Sequence, residues 1–190
     1  MQSPEQSQSH RRLMLLVVLF VTLCSVYMLT YSGRIESTDT LFLLDATGSL
    51  VRYGDTRLDV TAGVRPPPPN QLLTGGLYDP LPDVAAEPLQ MLLAAPLYWL
   101  ADRVPGVGLA HSVYLFNILV SAAAGCVMCL YALALDYGVR VGVLAALLLG
   151  MASIVWPYSK TFFQEPLALL LILLAALLLE KWRLGGYRAV

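Results

Sequence analysis

The chain is predicted to be an all-α integral membrane protein, with about four transmembrane helices and one or two juxtamembrane surface helices in a long first outer loop. Three observations predict this class. Hydrophobic residues make up 57% of its 190 residues and charged residues only 13%, with a mean hydropathy of +0.66, a balance foreign to a soluble domain of this length. Four apolar runs are long enough, or extendable enough, to cross a bilayer. Basic residues also collect near both ends, at Arg11 and Arg12 and at Lys181, Arg183 and Arg188. Four crossings put both clusters on the cytoplasmic side. The formal net charge of -1, with Lys and Arg scattered, argues against a nucleic-acid partner.

Residues 1–12 are expected to form a cytoplasmic tail and 13–31 the first span. The run is long for the apolar part of a signal peptide, and Ser25-Val26-Tyr27-Met28-Leu29-Thr30 offers no small-x-small cleavage site, so a retained signal anchor is expected. From Ser32 to Glu87 eight acidic residues face four arginines, and the Pro66-Pro67-Pro68-Pro69 spacer and Gly75-Gly76-Leu77-Tyr78-Asp79-Pro80 are rich in turn formers. This begins an outer loop spanning 32–108. Within it, Leu41, Phe42 and Leu44 on one side and Asp45, Ser49 and Arg52 on another give 40–53 a rough helical amphipathicity that suits a helix lying along the membrane surface.

A second juxtamembrane helix is expected over 88–103. Its apolar part, Pro88 to Leu100, contains Pro96 and is by length ambiguous between a span and a surface helix. If it crossed, the basic C-terminal cluster would lie outside, so it is assigned to the interface. The remaining spans are then 109–136, 139–157 and 166–180, with an outer loop over 158–165 and a cytoplasmic tail over 181–190. The predicted location is a multi-pass position in the plasma or inner membrane, with the N-terminus cytoplasmic.

Several residues invite chemistry and are read otherwise. Cys126 and Cys129 have C-x-x-C spacing, but no second ligand pair or nearby His accompanies them in their apolar run, so packing cysteines are the better reading. With Cys24 also in an apolar run, no disulfide framework is expected. Asn117 and Ser121 suit interhelical hydrogen bonding, and His111 an interfacial position. Asp55, Asp59, Asp79 and Asp83 fit no calcium-loop spacing, so neither a metal site nor a cofactor is assigned, and metal dependence stays open. No predicted span carries an ionisable residue in its middle, which disfavours a transporter.

The segment Trp156-Pro157-Tyr158-Ser159-Lys160-Thr161-Phe162-Phe163-Gln164-Glu165-Pro166 places a Lys and a Glu beside hydrocarbon-grade sequence. Charges there are costly and point to function, although a plain polar connection between helices is the competing reading. On the predicted topology this segment and the Ser37-Thr38-Asp39 stretch after the first span share the outer face. A carboxylate near the interface with an ammonium suits a lipid-phosphate substrate. The Lys offsets phosphate charge while the carboxylate takes a proton from an incoming hydroxyl.

These features resemble the class C (GT-C fold) membrane glycosyltransferases that use polyprenyl-phosphate-linked sugars, the superfamily of protein O-mannosyltransferases and lipid A aminoarabinose transferases. The likeness runs in order through Ser37-Thr38-Asp39, the Tyr53-Gly54-Asp55 turn, Glu87-Pro88-Leu89-Gln90 with Pro96-Leu97-Tyr98-Trp99-Leu100, and finally Trp156 to Leu167, its most specific part. It implies a GT-C-like module and a transferase of the cell envelope that moves a sugar from a polyprenyl-phosphate carrier to an acceptor hydroxyl on the outer face. By the same resemblance Asp39 is the catalytic base, Glu165 a second acidic residue organising the site, and Lys160 the contact to lipid phosphate. Tyr158 is expected beside Lys160, and Glu36 as the possible counterpart of a neighbouring carboxylate that many members have where this chain has Thr40.

Members of that superfamily carry further spans, so the chain is expected to correspond to the N-terminal portion of such an enzyme. Its expected partners are the lipid bilayer, the polyprenyl-phosphate sugar donor and a membrane protein encoded downstream. The alternative is a small non-catalytic scaffold or subunit, or a degenerate fragment, in which Asp39 and Glu165 are solvated loop charges and Lys160 is a snorkelling anchor.

Overall fold

The computed structural model describes residues 4–35, 37–56, 58 and 88–187. Glu36, Asp59, Asp79 and Asp83 therefore lie outside the described residues, as does Arg188 of the basic C-terminal cluster. Among the described residues the chain forms seven α-helices and no strand: α1 Pro4–Leu29, α2 Thr38–Tyr53, α3 Pro88–Arg103, α4 Leu109–Ala134, α5 Val139–Met151, α6 Val155–Tyr158 and α7 Glu165–Tyr187. They fall into two compact units. The first comprises Met1–Tyr31, Asn117–Lys160 and Glu165–Val190, and the second Ser32–Phe116 with Thr161–Gln164.

In the first unit, α1 buries Leu19, Leu23 and Tyr27, four residues apart on one face, while Leu13, Met14, Val17, Val18 and Val21 stay exposed. An apolar helix that shows most of its apolar surface suits lipid rather than water. Gln6–Leu29 and Leu109–Ala134 are long and apolar enough to cross a membrane; at 1.5 Å per residue they reach roughly 36 and 39 Å, against about 30 Å of hydrocarbon. The buried face of α5 is Gly142, Ala146 and Gly150. These small residues admit close neighbours. A Cβ on Gly150 would lie 2.7 Å from the Tyr27 hydroxyl oxygen and 2.8 Å from a Leu23 methyl, and one on Gly125 would lie 2.5 Å from Leu23. The Tyr27 hydroxyl donates to the Gly150 carbonyl at 3.0 Å.

The α4–α5 turn closes on Asp136, which adopts φ 66°. The Tyr137 amide there donates to the Ala132 carbonyl at 3.0 Å, ending α4 in a left-handed cap. The run expected to span 139–157 as one helix instead breaks: α5 ends at Met151 and α6 restarts at Val155. Pro157 explains this, because its ring crowds the carbonyl of Ser153 and it lacks an N–H to donate there. The Ser153 hydroxyl occupies the break, donating to the Leu149 carbonyl and accepting from the Val155 amide at 3.2 Å. The last helix passes its expected end at 180 and runs to Tyr187, with Arg183 forking onto Glu180 three residues earlier at 2.6 and 2.9 Å.

The second unit is built on α2 and α3. Ser37 caps α2 by accepting from the Thr40 amide at 3.2 Å, and Gly54 ends it with φ 77°. The middle of α2 is buried all round, from Leu43 to Ser49, while Arg52 stays exposed, so the polar side carrying Asp45 and Ser49 is covered along with the apolar one. The cause is Tyr98 of α3, whose hydroxyl oxygen lies 2.5 Å from where a Gly48 Cβ would stand. Only glycine at 48 lets α3 approach so closely. Arg52, on the same face, sits 5.6 Å over the Tyr98 ring and grips the Asp102 carboxylate with two nitrogens, one contact at 3.3 Å.

Candidate functional site

The sequence-predicted residues of the first unit cluster around the broken α5–α6–α7 connection. Tyr158 and Glu165 border one half-open cleft of about 400 Å³, whose walls are mostly apolar and include Leu149, Ile154, Val155 and Leu169. The α5 break creates this space, because a continuous helix through 152–154 would carry Tyr158 elsewhere. Ser153, a lining residue that the sequence reading passed over, forms part of the wall. Its signal was a serine four residues before a proline in an apolar run.

Glu165 stands exposed in the first turn of α7, where helix-end amide dipoles favour a carboxylate. Pro166 follows as a preorganised helix start and is fully buried. On the near side of the segment, the Lys160 ammonium lies 5.8 Å from the Trp156 ring centroid, within cation–π range. The Trp156 indole donates to the Thr30 hydroxyl at 3.1 Å, and Ser159 closes the α6 turn on the Trp156 carbonyl at 2.7 Å. Lys160 is thus held on a fixed aromatic platform. A cleft with oily walls, a carboxylate and a phenol at its edge, and a cation on the adjoining turn can take an amphiphile: chain along the walls, hydroxyls toward the carboxylate, phosphate toward the ammonium.

Asp39 belongs to the second unit. It is exposed in the first turn of α2, two residues after the Ser37 cap. Glu36 lies outside the described residues. The remaining segment residues, Thr161–Gln164, are also in the second unit, fastened by Gln90, whose amide donates to the Phe162 and Phe163 carbonyls at 2.8 and 3.1 Å. Phe162 is fully buried, stacked on Tyr114 with centroids 6.1 Å apart and edge-on to Phe116 at 6.5 Å. Sequence reasoning missed Gln90, although a glutamine in an otherwise apolar stretch was its signal.

Asp102 and Arg52 form a largely exposed pair. The Arg52 hydrogen bond holds the Asp102 carboxyl below its ordinary 3.8. Burial is the main cause raising the Tyr98 phenol. Among the described residues no group of three or more His, Cys, Asp or Glu side chains is placed to hold a metal ion. No protein-family model, curated protein or solved structure matches the chain.

Proposed function

We propose that the chain is part of a membrane glycosyltransferase that moves a sugar from a polyprenyl-phosphate carrier to an acceptor hydroxyl, within a four-span topology that adds α5–α6 and α7 to the two longer helices. The observation that carries this reading is the cleft of the first unit: an apolar trough edged by Tyr158 and Glu165, with Lys160 fixed on the adjoining turn. A lipid phosphate needs that combination of oily wall and local cation, and a sugar hydroxyl needs an acceptor carboxylate.

In this reading Asp39 takes the proton of the acceptor hydroxyl as its oxygen forms a bond to the anomeric carbon. The bond from that carbon to the phosphate oxygen breaks, and its electron pair leaves on the lipid phosphate. Lys160 offsets the charge of that leaving group, and Glu165 accepts hydrogen bonds from sugar hydroxyls. General-base assistance of this kind contributes ~10²- to 10⁴-fold.

The test is glycosyl transfer from a panel of polyprenyl-phosphate sugars in membranes containing this chain, alone and with the reading frame downstream. Transfer that falls ~10²-fold or more in Asp39→Asn, with Glu165→Gln raising KM for the donor, is expected. Transfer indifferent to both substitutions, or none in any combination from an inserted and folded chain, would overturn the proposal. The second outcome favours a non-catalytic scaffold, a reading supported by Glu165 standing in a first turn where a helix alone would select an acid.

A further inference from the structure

The helix α3 is two-faced in an uncommon way. Its inner side, Gln90, Met91, Ala94, Tyr98 and Ala101, is buried. Its outer side is equally apolar but open: Leu89, Leu92, Leu93, Trp99 and Leu100 are exposed, Leu92 by 57% and Leu100 by 55%. These positions recur at helical spacing, so they form one continuous strip rather than scattered exposures. At its C-terminal end the Arg103 guanidinium lies 4.2 Å from the Trp99 ring centroid. Neighbouring Asp102 is engaged by Arg52, so the net charge offered beside the strip is the positive charge of Arg103.

Three features select the occupant. At 16 residues α3 reaches roughly 24 Å, short of the ~30 Å hydrocarbon core. Pro96 lies within the helix and offers no N–H to the Leu92 carbonyl, a polar group that hydrocarbon would leave unsatisfied but water and headgroups can reach. A tryptophan capped by an arginine suits the boundary where acyl chains meet phosphates.

We propose that the outer face of α3 is a lipid-contact surface lying in the membrane interface, and that its Trp99–Arg103 end takes anionic phospholipid headgroups. Leucines and the indole enter the upper acyl region, while the guanidinium, turned outward on the indole face, meets a lipid phosphate. This surface stands independently of glycosyl transfer.

The experiment places the full chain, carrying Trp156→Phe and Trp182→Phe so that Trp99 alone emits, in nanodiscs of phosphatidylcholine with brominated phosphatidylglycerol or brominated phosphatidylcholine at equal fraction. Trp99 is expected to emit to the blue and to be quenched more by bromines near the headgroup than near the bilayer centre. Brominated phosphatidylglycerol is expected to quench more than its zwitterionic counterpart, a preference lost in Arg103→Gln. Equal quenching by the two lipids overturns the headgroup assignment. Absent quenching, or deepest quenching at the bilayer centre, overturns the interfacial one. Cross-linking of Leu92→Cys into a dimer would give the face to a second copy instead. Should the tryptophan-depleted chain lose helicity, a nitroxide on Leu92→Cys in the otherwise unaltered chain reads the same depth from lipid-soluble and water-soluble relaxants.

Discussion

Both units set a tyrosine on a glycine, and they do it for different ends. In the first, Tyr27 of α1 rests on Gly150 of α5 and donates to its carbonyl, among leucines and small residues. In the second, Tyr98 of α3 rests on Gly48 of α2 beside buried Asp45, Thr47, Ser49 and Gln90, with Arg52 overhead. Around Tyr27 the small residues Gly142, Ala146 and Gly150 form the buried face of α5 and admit close helix contact. Both interiors hide polar side chains that require partners: Asn117, Ser121 and Ser159 in the first, and Asp45, Thr47, Ser49 and Gln90 in the second. The same local motif thus carries a hydrogen bond to the glycine carbonyl in one place and a cation over the ring in the other.

The largest expected effect falls on the second unit, at its aromatic plug. Phe162→Ala empties a site closed by Tyr114 and Phe116 and loosens the strand of backbone that Gln90 holds. A buried Phe→Ala change costs about 3–5 kcal/mol. Hydrogen exchange measured by mass spectrometry in nanodiscs should therefore speed up ~10²-fold or more in α3, while the α1 and α5 amides keep their protection. Equal acceleration in both units would show that they open together, and the contrast between them would lose its energetic meaning.

A smaller effect tests the shared motif itself. An alanine methyl at Gly48 meets the Tyr98 hydroxyl at 2.5 Å and ring carbon Cζ at 2.8 Å; at Gly150 it meets the Tyr27 hydroxyl at 2.7 Å and a Leu23 methyl at 2.8 Å. Overpacking of this kind costs about 1–3 kcal/mol, against about 1 kcal/mol regained from replacing a helical glycine. The rescue pattern should differ. Tyr98→Phe removes the closest atom facing Gly48 and restores part of the lost α2 protection. Tyr27→Phe also removes the closest atom but gives up the hydrogen bond to the Gly150 carbonyl, so protection in α5 should return less. Double-mutant cycles on exchange rates in the two helices measure both.

What the sequence disclosed follows the same division. Apolar length and composition are additive along the chain, so α1 and α4 were legible from their runs alone. The two-sided pattern over Thr40 to Tyr53 pointed to a helix, and α2 occupies Thr38–Tyr53. That its polar side is covered along with its apolar one depends on Tyr98, fifty residues later, and on the gap at Gly48. The clamp of Gln90 on residues 162 and 163 likewise joins positions 72 and 73 apart, beyond any local pattern. The break at 152–154 was legible in principle, because Pro157 forbids the continuous helix that hydropathy suggested. Of the site, Lys160 and Glu165 were singled out from their setting beside hydrocarbon, and Tyr158 and Glu165 border one cleft. Ser153 escaped notice because its role appears only once α5 is known to break.

The smallest expected effect is one that the first unit's tyrosine–glycine pair cannot show, because nothing ionised sits above it. Asp102 is held below 3.8 by its hydrogen bond to Arg52, so its folded pKa is depressed. The stabilisation is then fully present above the unfolded value, near 3.9, and is lost as pH falls through the lowered folded value. Both partners are solvent-exposed, at 36% and 31% of side-chain area, so screening limits the contribution to under about 1 kcal/mol. Protection factors, with the intrinsic pH dependence of exchange divided out, should fall in the last turn of α3 below about pH 4 and stay flat in Asp102→Asn, with amides around Tyr27 and Gly150 indifferent throughout. An acid response of equal size around Tyr27 would assign the pH dependence to a general loosening and remove Arg52 and Asp102 as its source.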